Sequence, residues 1–163
     1  MIEHVHFLTT GGTIDKVYFD AKSEYEVGPP QVADVLREGN VTLPFTLETV
    51  LAKDSLDLTP EDRELVRQRV EASPHRRIII THGTDTMVAT AAVLQGIAGK
   101  TIVLTGSMQP ARMRNTDAGF NVGTALGAVQ VLAPGVYVAM NGRVFPADQV
   151  RKNAAKHCFE DLV

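Results

Sequence analysis

The chain has 163 residues, 44% of them apolar, and a formal net charge of −3, enough for one domain with a full hydrophobic core. That charge gives no electrostatic case for nucleic-acid binding, and no apolar run is long enough to span a bilayer. One cysteine, Cys158, excludes a disulfide within this sequence, and five histidines without paired spacing argue against a structural metal site.

Residues 1–163 read as a single α/β domain. The first residues lack a basic segment followed by an apolar core, so no secretory signal is expected and the cytoplasm is the expected compartment. His4 to Thr9 reads as a first strand. It ends in Thr9-Thr10-Gly11-Gly12-Thr13-Ile14, where the glycines permit positive φ and close backbone approach to a ligand. Asp15 to Pro30 is polar and without clear periodicity, with Tyr18, Phe19 and Tyr25 embedded, so a lid or a hairpin arm is expected there. Pro29-Pro30 lead into a short helix, about Gln31 to Glu38, and Thr46 to Ala52 is a second strand followed by the turn Lys53 to Asp57.

Thr59-Pro60-Glu61-Asp62 is a strong helix start, with Thr59 as cap, Pro60 at the first helical position and two acids at the positive end. Leu65, Val66 and Val70 supply its buried stripe, and Ser73-Pro74 end it. Arg76 to Ile80 is a third strand and opens onto Thr81-His82-Gly83-Thr84-Asp85-Thr86-Met87. The following helix, Thr86 to about Ile97, is apolar nearly all round, is expected to be largely buried, and is stopped by Gly99.

Thr101 to Thr105 is a fourth strand, ending in Gly106-Ser107-Met108-Gln109-Pro110. Arg112 and Arg114 read as loop-positioning residues, and Met108 and Met113 as core edge. Thr116-Asp117 begin another apolar helix, to about Leu132. Val136 to Met140 is a fifth strand, and Asn141-Gly142 is a hairpin signal pairing it with Arg143 to Phe145. Asp148 to Val163 is polar and reads as a helix or a tail.

Strand–turn–helix repeats of this kind imply a Rossmann-like, mostly parallel sheet with helices on both faces, and such sheets bind ligands outside the carboxyl ends of their strands. The turns at those ends carry Thr10 to Thr13, Asp54-Ser55, Thr84-Asp85 and Ser107, so four polar turns converge on one edge. A threonine hydroxyl needs a neighbouring base or charged partner to act as a nucleophile. Thr13 has Tyr25 within reach if the Asp15–Pro30 arm folds back, and Thr84 has Asp85 beside it and Lys152 if the late segment returns to the sheet edge. Asp54 and Asp85 offer acceptors for an ammonium, Ser55 a donor for a carboxylate, and turn N–H groups an oxyanion site. The inferred ligand is a small zwitterion with an acyl group. Thr84-Asp85 also suits a plain helix cap. His82 reads as an orienting residue rather than a catalytic base, and Cys158 as a tail or interface residue. A nucleotide-binding domain is disfavoured, because the G-x-G-x-x-G spacing is missing.

Thr10-Gly11-Gly12-Thr13-Ile14 with His82-Gly83-Thr84-Asp85-Thr86-Met87 resembles the paired signature of the bacterial-type L-asparaginase/glutaminase family. Tyr25 within Ser23 to Gly28, Ser55 within Asp54 to Asp57, and Lys152 after Asp148 to Arg151 follow in the family's order. The resemblance covers essentially the whole chain. It implies hydrolysis of L-asparagine to L-aspartate and ammonia without metal or cofactor, with glutamine the lesser substrate. Thr13 is then the nucleophile, Tyr25 its activating partner on a mobile lid, and Thr84, Asp85 and Lys152 a second catalytic group. Gly12, Asp54, Ser55, Gly83 and Ser107 line the expected substrate-binding surface. The partners expected are a small amino-acid amide and further copies of the chain in a homo-oligomer, with no nucleic acid and no membrane.

The family's usual chain is about twice as long, with a second, smaller α/β domain that helps close a neighbouring subunit's site, and this sequence ends soon after Lys152. Loss of one or two charge-assisted contacts, at about 1.5–3 kcal/mol each, predicts weakened affinity or a partner that replaces that wall. The other reading is an amino-acid-binding or regulatory module with little turnover.

Overall fold

The computed structural model describes residues 3–163. Its frame is a six-stranded sheet built from β1 (Val5–Gly11), β4 (Phe45–Lys53), β5 (Arg77–Thr81), β6 (Thr101–Thr105), β7 (Gly135–Met140) and β8 (Arg143–Pro146), in the order β4-β1-β5-β6-β7-β8. The first five run parallel, and β8 pairs antiparallel with β7. Helices α1 (Val32–Glu38) and α4 (Ala118–Val131) cover one face; α2 (Pro60–Ala72) and α3 (Met87–Val93) cover the other. This is the Rossmann-like arrangement expected from the repeats.

Alternation along β5 shows how the layers are bound. Ile78 and Ile80 enter the core under α2 and α3, while Ile79 enters the core under α1 and α4. A strand covered on both faces is apolar where it is covered, as Ile78, Ile79 and Ile80 are here. The α2 start forms as the sequence implies: Asp62 N–H donates to Thr59 Oγ1 at 3.1 Å, and Thr59 N–H to Asp62 Oδ2 at 3.0 Å. Asn141 and Gly142 take φ of 56° and 70°, the primed turn that a two-residue hairpin needs.

Four expectations need correction. Leu65 is 38% exposed, because only Val66 and Val70 on α2 point inward. Helix α3 stops at Val93, well before Gly99; Arg67 of α2 donates to the carbonyls of Val93 (2.7 Å) and Gln95 (3.0 Å), and Gly96 turns the chain at φ 85°. On α3 itself only Met87, Thr90 and Ala91 are buried, so its apolar outer face is small-residue surface rather than core. The final segment is neither helix nor tail. It is a hairpin of β9 (Val150–Asn153) and β10 (Cys158–Asp161), closed onto the core by buried Val150 and Phe159. The Asp15–Pro30 segment takes the hairpin form of its two alternatives, with β2 (Lys16–Phe19) against β3 (Glu24–Val27).

Candidate active site

The loops after β1, β4 and β5 meet backbone to backbone. A Cβ placed on Gly12, whose φ is 82°, would lie 2.4 Å from the amide nitrogen of Gly83. A Cβ on Gly83 would in turn lie 2.6 Å from Cβ of Ser55. No side chain fits between such surfaces, so glycine is required at both positions. The Gly12 amide also donates to the Lys53 carbonyl at 2.9 Å, and Thr86 Oγ1 to the Ser55 carbonyl at 2.8 Å. Thr13, Ser55 and Thr84 are therefore brought to one rim of the sheet, each within one residue of these contacts.

Hydrogen bonding separates the structural hydroxyls from the available ones. Thr10 Oγ1 donates to the Thr81 carbonyl at 2.9 Å, so it is committed to holding β1 against β5. Among the described residues the hydroxyls of Thr13 and Ser55 have no protein partner, and Thr13 is half-buried at the loop surface. Thr84 is different again. Its Oγ1 accepts from Lys152 Nζ at 2.8 Å, and the same ammonium reaches Asp85 Oδ1 at 2.6 Å.

Lys152 arrives there because of hairpin register. In β9 it shares a face with buried Val150, and it stands opposite buried Phe159 in β10. Its stem is thus carried inward, and the side chain is only 17% exposed. On the hairpin's other face Glu160 accepts from Arg151 Nε (3.0 Å) and Asn153 Nδ2 (3.1 Å), which braces the two strands.

Asp54 is the second carboxylate on the rim. The Leu56 amide (3.1 Å) above all, then Lys16 Nζ (3.1 Å) and the more distant Lys152, hold its carboxyl below the usual aspartate range. Each rim carboxylate thus carries one lysine, Lys16 on Asp54 and Lys152 on Asp85, and Asp85 is the more exposed of the two, its side chain at 47% against 33%. Lys16 has no part in the roles read from sequence. The signal for it is only its place directly after the first signature.

His82 is fully buried, and that burial holds its pKa down at about 4. Its neutral ring therefore has one donor and one acceptor. Nδ1–H donates to the Gly83 carbonyl (2.7 Å), since a carbonyl only accepts, and Nε2 accepts from the Thr90 hydroxyl (2.7 Å). Arg63 Nε donates to the same hydroxyl at 3.2 Å, completing a relay from α2 through α3 to the turn. The ring thus orients the glycine on which Gly12 rests.

Two other sequence candidates are placed differently. Tyr25 stands on β3, 47% exposed, its ring 5.4 Å from that of Tyr18 and without a hydrogen bond to Thr13 among the described residues. Ser107 is fully buried and its hydroxyl donates to the Gln109 carbonyl within its own loop. That loop is anchored by two residues that sequence reasoning passed over: Asp117 accepts from the amides of Met108 and Gln109, and Asn121 Nδ2 donates to the Gly106 carbonyl at 2.9 Å. Their signal was Asp117 and Asn121 one turn apart at a helix start. Among the described residues no group of three or more His, Cys, Asp or Glu side chains could hold a metal ion, and no helix is long and apolar enough to cross a membrane.

Comparison with known proteins agrees with the paired loops. The family model for the asparaginase N-terminal domain matches residues 4–160. The chain is 33% identical over 159 residues to an L-asparaginase of Thermococcus kodakarensis, covering 89% of this chain and 46% of that protein. Superposed on the solved structure of the thermostable L-asparaginase from that organism it gives a TM-score of 0.82 at 27% identity, over 98% of this chain and 51% of the other. A solved L-asparaginase I from Vibrio cholerae gives 0.85 at 27% identity, over 99% and 52%. A glutamyl-tRNA(Gln) amidotransferase chain of Pyrobaculum aerophilum is 36% identical over 142 residues, 81% of this chain and 33% of that one. The chain spans about half the length, or less, of the curated relatives it matches.

Proposed function

Because the chain belongs to the asparaginase family, matching its N-terminal domain, we propose that it is an amidohydrolase converting L-asparagine to L-aspartate and ammonia through an acyl-enzyme on Thr13. The observation that carries this reading is the Lys152–Thr84–Asp85 cluster on the same rim as the uncommitted Thr13 hydroxyl. Thr13 Oγ forms a bond to the side-chain amide carbon as its proton leaves toward Tyr25, once the hairpin arm closes. Turn N–H groups hold the oxyanion, and the C–N bond then breaks, the nitrogen leaving as ammonia with the proton that Thr13 gave up, passed on through Tyr25. In the second half a water, oriented by Thr84 and Lys152, adds to the ester. The Thr13–carbon bond breaks, the hydroxyl regains its proton, and aspartate departs. Asp85 takes the substrate ammonium and Ser55 its carboxylate, with Gly12 and Gly83 shaping the floor and Ser107 acting only through the loop it braces.

Cytoplasmic location and assembly into a homo-oligomer belong to the same proposal. Phe120 and Val131, 67% and 82% exposed on uncharged α4, support assembly. A second reading, an amino-acid-binding module with little turnover, is favoured by Tyr25, which stands 47% exposed against Tyr18 and without a hydrogen bond to Thr13 among the described residues. Ammonia release from asparagine and glutamine, with Thr13→Ala as control, decides: release lost in the variant supports the hydrolase, and binding without release by the parent supports the module.

A further inference from the structure

We propose that Asp15 is a positioning residue, the joint through which the β2–β3 hairpin carrying Tyr25 is held in register with the Thr13 turn and the start of α1. Three bonds converge on it. Its amide donates to the Gly12 carbonyl (3.1 Å), its carbonyl accepts from the Gly28 amide (2.8 Å), and its Oδ1 accepts from the Gln31 amide (2.9 Å). One residue thus ties the point where the arm leaves, the point where it returns, the threonine turn and the residue preceding α1. Gln31 is itself fastened, donating to the Pro29 carbonyl (2.8 Å) and accepting from Arg112 Nε (2.9 Å), while the Ala111 amide donates to the Ile14 carbonyl (3.1 Å).

Beyond this joint the arm has little core of its own. Ile14, Asp15 and Gln31 are buried, whereas Tyr18, Phe19 and Tyr25 are 50%, 41% and 47% exposed. A two-stranded hairpin is marginal alone, so its orientation is set at its base. The outer contact at that base is Lys16 with Asp54, at 3.1 Å, which points the arm toward the Ser55 loop.

Among the described residues no cation compensates the Asp15 carboxyl. On β2 Lys16 is turned to Asp54, on the hairpin Lys22 pairs with Glu26, on α1 Arg37 pairs with Asp34, and Arg112 of the facing loop is on Gln31. Burial accordingly pushes the carboxyl up to about 7, so near neutral pH the joint acquires an unpaired buried charge and loosens.

The role of Tyr25 in this inference rests on the amidohydrolase reading; the joint does not. Amide hydrogen exchange of the full chain tests it, comparing Asp15→Asn, which keeps the acceptor without the charge, with Asp15→Ala. In Asp15→Ala, protection over residues 16–19 and 24–27 is expected to fall about tenfold while β5 is unchanged, and Asp15→Asn is expected to retain it. In the parent, protection of the arm falls between about pH 6 and pH 8, and in Asp15→Asn it does not. Where asparagine is hydrolysed, Asp15→Ala lowers kcat more than it raises KM, and Asp15→Asn restores kcat. Equal arm protection in all three proteins, loss extending to β5, or kcat unaffected in Asp15→Ala overturns the proposal. A parent that releases no ammonia removes the hydrolase reading alone, and exchange still decides the joint.

Discussion

Lys152 Nζ donates to Thr84 Oγ1 across 2.8 Å although 68 positions separate the two in the chain. The contact joins a hairpin outside the main sheet to the turn after its central strand, and it gives a hydroxyl with no intrinsic reactivity a charged neighbour.

Lys152→Met is therefore expected to lower kcat by roughly 10²-fold, since a misplaced reacting group, here the water that Thr84 and Lys152 orient, costs about that much. Lys152→Arg is expected not to restore it, because the planar guanidinium cannot reproduce a point contact with both Thr84 and Asp85. The hairpin is held by Val150 and Phe159, so melting temperature should change little. Steady-state ammonia release beside a thermal melt checks both halves.

Gly83→Ala introduces a methyl 2.6 Å from Cβ of Ser55 and 3.1 Å from its amide. Overpacking of this sort costs about 1–3 kcal/mol, so the urea midpoint should drop. Gly12→Ala adds strain at φ 82° to a clash with Gly83 and should be the worse of the two. Equal midpoints for Gly83→Ala and the parent would contradict the loop contact.

His82 makes stability pH-dependent. Its folded pKa of about 4 lies below the unfolded 6.5, so its contribution is fully present above pH 6.5 and is lost as pH falls toward 4. The shift corresponds to on the order of 3 kcal/mol. His82→Gln keeps a donor and an acceptor without titrating. Between pH 6.5 and 4 the parent should lose stability relative to that variant, measured by urea unfolding at each pH.

Asp15 acts with the opposite sign. Its folded pKa of about 7 lies above the unfolded 3.8, so its contribution is fully present below pH 3.8 and is lost as pH rises through 7. At about pH 8, Asp15→Asn should be more stable than the parent, and the gain should shrink on acidification. A gain that is flat with pH would point to packing rather than charge.

Local pattern was enough for most of the frame. The apolar runs and their turn residues place β1, β5, β6 and β7, Thr59-Pro60 place the start of α2, and Thr10 to Ile14 with Thr81 to Met87 mark both loops of the site. These are features in which neighbours in sequence act on one another, through alternation, capping and the conformational needs of glycine. The last hairpin was not legible, since its inward residues Val150 and Phe159 are separated by polar ones and gain meaning only against the core. The end of α3 was missed for a related reason: Arg67, from another helix, satisfies its final carbonyls.

By itself, then, the sequence determined a parallel α/β frame with hydroxyl-bearing turns at the carboxyl ends of its strands, because those depend on short-range propensity and periodicity. Tertiary structure alone decided that Gly12, Gly83 and Ser55 touch, that Lys152 serves Thr84 while Lys16 takes Asp54, and that among the described residues the Thr13 hydroxyl is left without a partner. Those outcomes turn on distances between segments tens of residues apart, and packing, which sets such distances, leaves no periodic trace along the chain.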